Sequence, residues 1–423
     1  MSLYEFYQLL KEKNPNSQLF QDMCLIHDIH RYYYIDLNFE NEFNNIIDLY
    51  EKSDFPSISC GIITYNEERC IHRCLDSIIN EFSEIVVLDS MSNDKTVDII
   101  REKFPQVKVI SESWKNDFSY QRNKLINYVT NDWIYFIDAD NYFGKNNTSK
   151  FKRIARLIEF FNIKCVISPI IHEYTGDIYT DTRRMFSLNQ NISFNGKVHE
   201  EPIFDGGEIP DNITVKVDVY HDGYDPDIVD MVAKNERNLV LTKEMIQLEP
   251  GNPKWLFFYA RELNQAKSDK RLVESVLLSA IDLYKFKSDK RFLMESLSLL
   301  CKIYFELKDF KSLIKYISVI EEEYPDFYDI EFYKASLLLL DIENRINTVI
   351  ESLHVALDKT NENTCSTIHS KGDHFKHLLI NLYSFSRRWD IVFELYNDIQ
   401  TLELKQDFLN NVTELKSKID EIL

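Results

Sequence analysis

Residues 133–143 read WIYFIDADNYF. Trp133 to Ile137 suit a strand buried in a core, and the run ends in Asp138-Ala139-Asp140. An unpaired carboxylate is costly to bury, so two of them one residue apart at the end of an apolar run mark a functional position. Three earlier segments share the design: SISCGIITY (57–65), which leads into Asn66-Glu67; EIVVLDS (84–90), which ends in Asp89-Ser90; and VKVISES (107–113). CIHRCLDSII and DKTVDIIREKF lie between them and carry apolar residues at helical spacing. Strands alternating with helices imply a parallel sheet with crossover helices, and near-continuous Ile/Val runs imply burial on both faces. Ligands of such sheets bind beyond the carboxyl ends of the strands, where these polar residues fall.

Working outward, CVISPI (165–170) reads as a further strand. RRMFSL and NISFNGKVHEEP (191–202) suit a hairpin, and the alternating ITVKVDVYHDG (213–223) suits an edge strand. Residues 1–53 form a helical extension, with Asn14-Pro15-Asn16 breaking its first helix. The α/β domain spans 54–226. Residues 227–423 are helical, and SLLCKIYFELKDF…YP within them resembles a tetratricopeptide unit. Such arrays form concave surfaces for peptides or other subunits.

A formal net charge of −20 disfavours a nucleic-acid polymer as partner and suits a neutral or basic peptide, or a substrate bridged by a cation. The seven cysteines are odd in number and lack zinc spacing, which implies a reducing compartment; Cys70 and Cys74 read as ordinary buried thiols. The N-terminus lacks the pattern of a signal peptide, and no apolar run approaches the ~18 residues of a membrane span, so the expected location is cytoplasmic with no membrane contact.

Residues i and i+2 of an extended chain point to one side, so Asp138 and Asp140 are expected to form a two-carboxylate claw for Mg²⁺ or Mn²⁺. The alternative is helix capping. A divalent ion there suits a donor whose diphosphate departs. Thr64, Tyr65 and Glu67 are placed to cradle a base and ribose, Asp89 to accept from uracil N3–H, and Arg122 in SYQRNK to reach the nucleotide or its phosphates.

GIITYNEE, VVLDSMSNDKT, NDFSYQRNK and WIYFIDAD, in this order and spacing, resemble glycosyltransferase family 2 with its Rossmann-like GT-A fold. YTGDIYTDTRRMF, NGKVHEEP, VYHDGY and NPKWLFFYARELN narrow the resemblance to the sublancin-type peptide S-glycosyltransferases. The resemblance implies inverting transfer of a hexose from a UDP-sugar, commonly UDP-glucose, to a cysteine of a bacteriocin precursor peptide. It also makes Thr64, Tyr65, Glu67, Asp89 and Arg122 donor-nucleotide residues, places Asp138 by ribose and metal, and makes Asp140 the direct metal ligand. The superfamily carries its base where His199-Glu200-Glu201 stands, with Glu200 favoured over Glu201 and His199. A late metal ligand in related folds points to His221.

Arg184, of the Arg183-Arg184 pair, suits the diphosphate; a salt bridge to Asp181 is the plainer role for that pair. Trp114 suits either a sugar pocket or the core, and Trp255 suits packing between helical units. Exposed aromatics in HRYYYIDL (30–37) suit a homodimer contact. The rival functions are a family 2 enzyme acting on a saccharide or other non-peptide acceptor, and a non-catalytic helical-repeat scaffold.

Overall fold

The structure, a computed structural model, describes residues 1–37, 43–221, 231–362, 368–369 and 371–421. Two compact units divide the chain after Ser296. The Asp225-Pro226 boundary expected from sequence lies outside the described residues.

The first unit is built on strands β1 (Ile58–Thr64), β2 (Glu84–Asp89), β3 (Lys108–Ser111), β4 (Trp133–Phe136), β5 (Asn141–Phe143), β6 (Cys165–Glu173), β7 (Ile178–Tyr179), β8 (Met185–Ser187), β9 (Ile192–Asn195), β10 (Glu201–Phe204) and β11 (Asp211–His221). The main sheet runs β3-β2-β1-β4-β8-β6-β11-β5, with β7 on β6. β1 to β4 are mutually parallel, as the alternating strand and helix pattern implies. Their side chains feed both faces: Trp133, Tyr135 and Ile137 enter one core cluster, and Ile134 and Phe136 the other.

Two expectations are corrected here. ITVKVDVYHDG is not an edge strand: β11 lies between β6, to which it is parallel, and β5, to which it is antiparallel. The chain after Asp140 turns back at once, and the three-residue β5 covers the C-terminal end of β11. RRMFSL likewise forms no hairpin with NISFNGKVHEEP, because β8 inserts between β4 and β6. The hairpin is β9–β10, wholly within NISFNGKVHEEP and the residues after it.

The N-terminal extension is part of this body. Ile26 bridges Val215, and Lys216 N–H donates to Leu25 O at 2.8 Å, where the β6–β11 register shifts. Fully buried Asp22 accepts from Arg153, Arg156 and Tyr50 at 2.6–2.7 Å, which satisfies a charge that would otherwise be prohibitive there. The first helix, Leu3–Lys13, stops before Pro15.

Helices Met231–Leu248, Pro253–Gln265 and Lys270–Tyr284 also belong to the first unit. The second unit is helical among its described residues, with a core of Ile350, Leu379, Ile380, Val392 and Ile399.

Candidate active site

β4 ends at Phe136, and Asp138-Ala139-Asp140 follows as a turn closed by Asn141 N–H on Asp138 O at 3.0 Å. A turn at Ala139-Asp140, not a continuing strand, carries the second acid, and each carboxylate has its own partners. Asp138 accepts from Arg122 at 2.9 Å and from Arg184 at 2.8 Å, one guanidinium on each oxygen. Burial pushes its pKa up, but Arg184 and Arg122 outweigh this and hold it well below the usual carboxylate range. Asp140 turns to His221 instead, with Oδ2 3.0 Å from Nε2, while its Oδ1 is buried without a hydrogen bond.

Arg122 comes from the helix Phe118–Ile126, which lies close to the sheet because residue 61 is glycine. A Cβ there would stand 2.8 Å from Leu125 and 3.0 Å from Phe136. Arg122 is buried between the rings of Phe136 and Phe194 and donates from Nε to Glu200 at 2.7 Å. It thus links Asp138 to Glu200 across the cleft.

The three base candidates separate on geometry. Glu200 lies beside Arg122 with Arg184 at 3.9 Å. Glu201, the first residue of β10, gives one oxygen to Lys254 at 2.7 Å and the other to Arg291. His199 has a φ of 50°, stacks on Phe258 at 4.0 Å and meets Glu262 at 3.0 Å. Burial and Arg261 lower its pKa against the pull of Glu262.

At the end of β1, the Thr64 hydroxyl is buried without a partner and Tyr65 is exposed. Glu67 accepts the Cys70 thiol at 3.0 Å, and its pKa is raised by burial and by Asp140 and Asp138. Asp89 spends both oxygens on Ser92, at 2.5 and 3.0 Å. Arg183 makes the plainer contacts, to Asp181 and Pro210 O at 2.7 Å, and leaves Arg184 to face Asp138. Trp114 packs edge-on against Phe118.

Sequence reading missed Glu173, Lys234 and Arg73. Glu173 ends β6 and bonds His221 Nδ1 at 2.7 Å. Burial lowers the pKa of Lys234, and Asp140, Asp138 and Glu173 pull it part of the way back. Arg73 donates to Asp140 O at 3.1 Å. A cleft of about 320 Å³ beside Glu173 is lined in part by Lys234, Asn235, Arg261 and Tyr179. Glu173 obeys the strand-end rule already used for Asp89; nothing in the spacing of MVAKNERN marks Lys234.

Among the described residues, no three or more His, Cys, Asp or Glu side chains form a ready-made metal cage. Two protein ligands are nonetheless enough where substrate phosphates complete the shell. The unpartnered Asp140 Oδ1 and the adjacent His221 Nε2 fit that arrangement, oxygen and imidazole both being acceptable to Mn²⁺.

Residues 59–223 match the family described as Glycosyl transferase family 2. Glycosyltransferase SunS of Bacillus subtilis (strain 168) is 41 % identical over 424 aligned residues, covering 100 % of this chain and 99 % of that protein. Glycosyltransferase SunS of Bacillus phage SPbeta matches with the same figures. Among solved structures, S. aureus TarS aligns with a TM-score of 0.35 at 16 % identity, over 61 % of this chain and 54 % of TarS. No helix among the described residues is long and apolar enough to cross a membrane. Identity of this size from end to end places the chain in glycosyltransferase family 2, among the SunS-type enzymes.

Proposed function

We propose that the chain transfers a hexose, glucose first among candidates, from a UDP-sugar to a cysteine thiol of a ribosomally made precursor peptide, with inversion. The observation that carries this reading is Arg122, which ties Asp138 at the donor end of the sheet to Glu200 at 2.7 Å. One buried guanidinium thereby sets the distance between the donor side and a base.

Thr64, Tyr65 and Glu67 hold the nucleoside, with Asp89 at the end of β2 placed to accept from uracil N3–H. Arg184 and Lys234 add positive charge for the diphosphate. Asp140 and His221 hold Mg²⁺ or Mn²⁺, which when bound supplies charge to stabilise the departing diphosphate. Asp138 stands by the ribose and metal, and its contacts to Arg122 and Arg184 orient both guanidinium groups.

Glu200 takes the thiol proton as sulfur attacks the anomeric carbon. The C–S bond forms on the face opposite the breaking C–O bond, and UDP leaves with the electron pair. A thiol with an ordinary pKa of about 8.5 needs only modest help from a carboxylate. Glu201 and His199, each held by other partners, support the hairpin that presents Glu200.

Intact-mass analysis of a cysteine-containing precursor peptide after incubation with UDP-glucose and Mn²⁺ tests the reading. One added hexose that is stable to mild base is expected. Modification of a saccharide acceptor with none of the peptide overturns it.

A further inference from the structure

We propose that Glu173 is a positioning residue for His221: its carboxylate fixes which imidazole nitrogen faces Asp140 and so holds that nitrogen ready for a divalent cation. The inference rests on the metal reading above and extends it to a residue behind the ligands.

The sheet itself creates the pair. β6 and β11 run parallel with Glu173 and His221 in register, so the two side chains emerge side by side at the strand ends. Tyr174 N–H donates to His221 O at 3.2 Å, which secures the backbone at that level. Glu173 Oε1 then lies 2.7 Å from His221 Nδ1, and Asp140 Oδ2 lies 3.0 Å from Nε2 on the other edge of the ring. The Glu173 side chain is only 5 % exposed, so water competes weakly for this bond. Its second oxygen is buried without a hydrogen bond. The contact of this carboxylate is therefore directed at the imidazole.

Without a cation each ring nitrogen faces a carboxylate, Nδ1 Glu173 and Nε2 Asp140; a cation at Asp140 would displace the Nε2 proton while the bond to Glu173 keeps the ring from swinging away. An imidazole at the last position of β11 has rotamers and two tautomers to choose from; Glu173 selects one orientation and one tautomer. A purely structural role is a weaker account, because the β6–β11 ladder and the Tyr174 bond already join these strands without the side chain.

The test is Mn²⁺ titration of the full-length chain in the presence of UDP, with free Mn²⁺ read by electron paramagnetic resonance. Glu173→Ala is expected to weaken Mn²⁺ binding by about 10- to 100-fold relative to the wild type, in a chain that still unfolds cooperatively. Glu173→Gln, whose amide oxygen still accepts from Nδ1–H, is expected to fall between the two. Unchanged Mn²⁺ affinity in a folded Glu173→Ala chain overturns the inference and leaves the metal reading intact. Wild-type chain that binds no Mn²⁺ with UDP present overturns the metal reading and the inference together. Nitrogen-15 NMR of the His221 ring in the unmutated chain with Mg²⁺ and UDP reads the tautomer directly. Protonated Nδ1 and unprotonated Nε2 support the inference, and the reverse overturns it.

Discussion

Arg122 Nε lies 2.7 Å from Glu200 Oε1, with both side chains largely shielded from solvent. A helix crossing the sheet thereby orients an acid on the loop before β10, 78 residues away in the chain. Because the guanidinium is fully enclosed, its loss leaves two acids without their shared cation. Arg122→Leu is expected to cost about 3–5 kcal/mol in urea denaturation, the range for breaking a buried pair. Arg122→Lys keeps the charge but not the fork, so it should fold better and still transfer sugar poorly. Wild-type stability of the leucine variant contradicts the bridging role.

Glu200→Gln retains an oxygen for Arg122 but cannot take a proton. Turnover should fall by about 10²- to 10⁴-fold with donor KM little changed. Near-normal kcat would transfer the base role to another group.

Asp140→Asn keeps volume and removes charge beside His221. The variant should fold normally, lose most transfer, and regain none of it with excess Mn²⁺. Full activity in this variant would end the case for Asp140 as a ligand.

Gly196 has a φ of 109°, and a Cβ on it would stand 2.6 Å from the Trp255 ring. Gly196→Ala therefore meets both backbone strain and a rigid neighbour, and should destabilise by about 1–3 kcal/mol. A thermal melt within a degree of wild type would show that the ring yields freely.

His199 gives a pH signature. Its imidazole is held below its ordinary pKa when folded, so the unfolded chain takes up a proton first as pH falls through about 6.5. Stability from this group is present above that range and is lost below it. Between about pH 7.5 and about pH 5.5, the wild type should lose more stability than His199→Asn, a residue that tolerates the same positive φ. At His221 the shift is opposite: burial is outweighed by Asp140 and Glu173, which raise its pKa to about 9. That shift is common to both chains and cancels in the difference. Parallel pH profiles would refute the prediction.

The parallel half of the sheet was legible because β1, β2 and β4 are buried on both faces and are mostly apolar. Their polar termini, Thr64, Asp89 and Asp138, came from the rule that such sheets bind at their carboxyl edge. The turn at Ala139-Asp140 is invisible to a period-two reading, so the separate partners of Asp138 and Asp140 were not legible. Glu173 was missed because CVISPI, bounded at Ile170, stops three residues short of the strand's end. β6 continues through Pro169 because its partners step from Thr214 to Asp218 there, and the bulge asks for no proline N–H. The helix Met231–Leu248 was readable as a helix, but Lys234 becomes interesting only once the fold brings it near Asp138 and Asp140.

The anchoring of Glu201 bears on how such enzymes can be recombined. Lys254 and Arg291 grip this acid, and Trp255 fills the hollow under Gly196, all from sequence beyond residue 223. A chimera made by grafting only the family 2 segment onto foreign helices would carry its hairpin unmoored. The downstream helices thus help to hold the β9–β10 hairpin, and a graft between relatives has to move them in the same cassette.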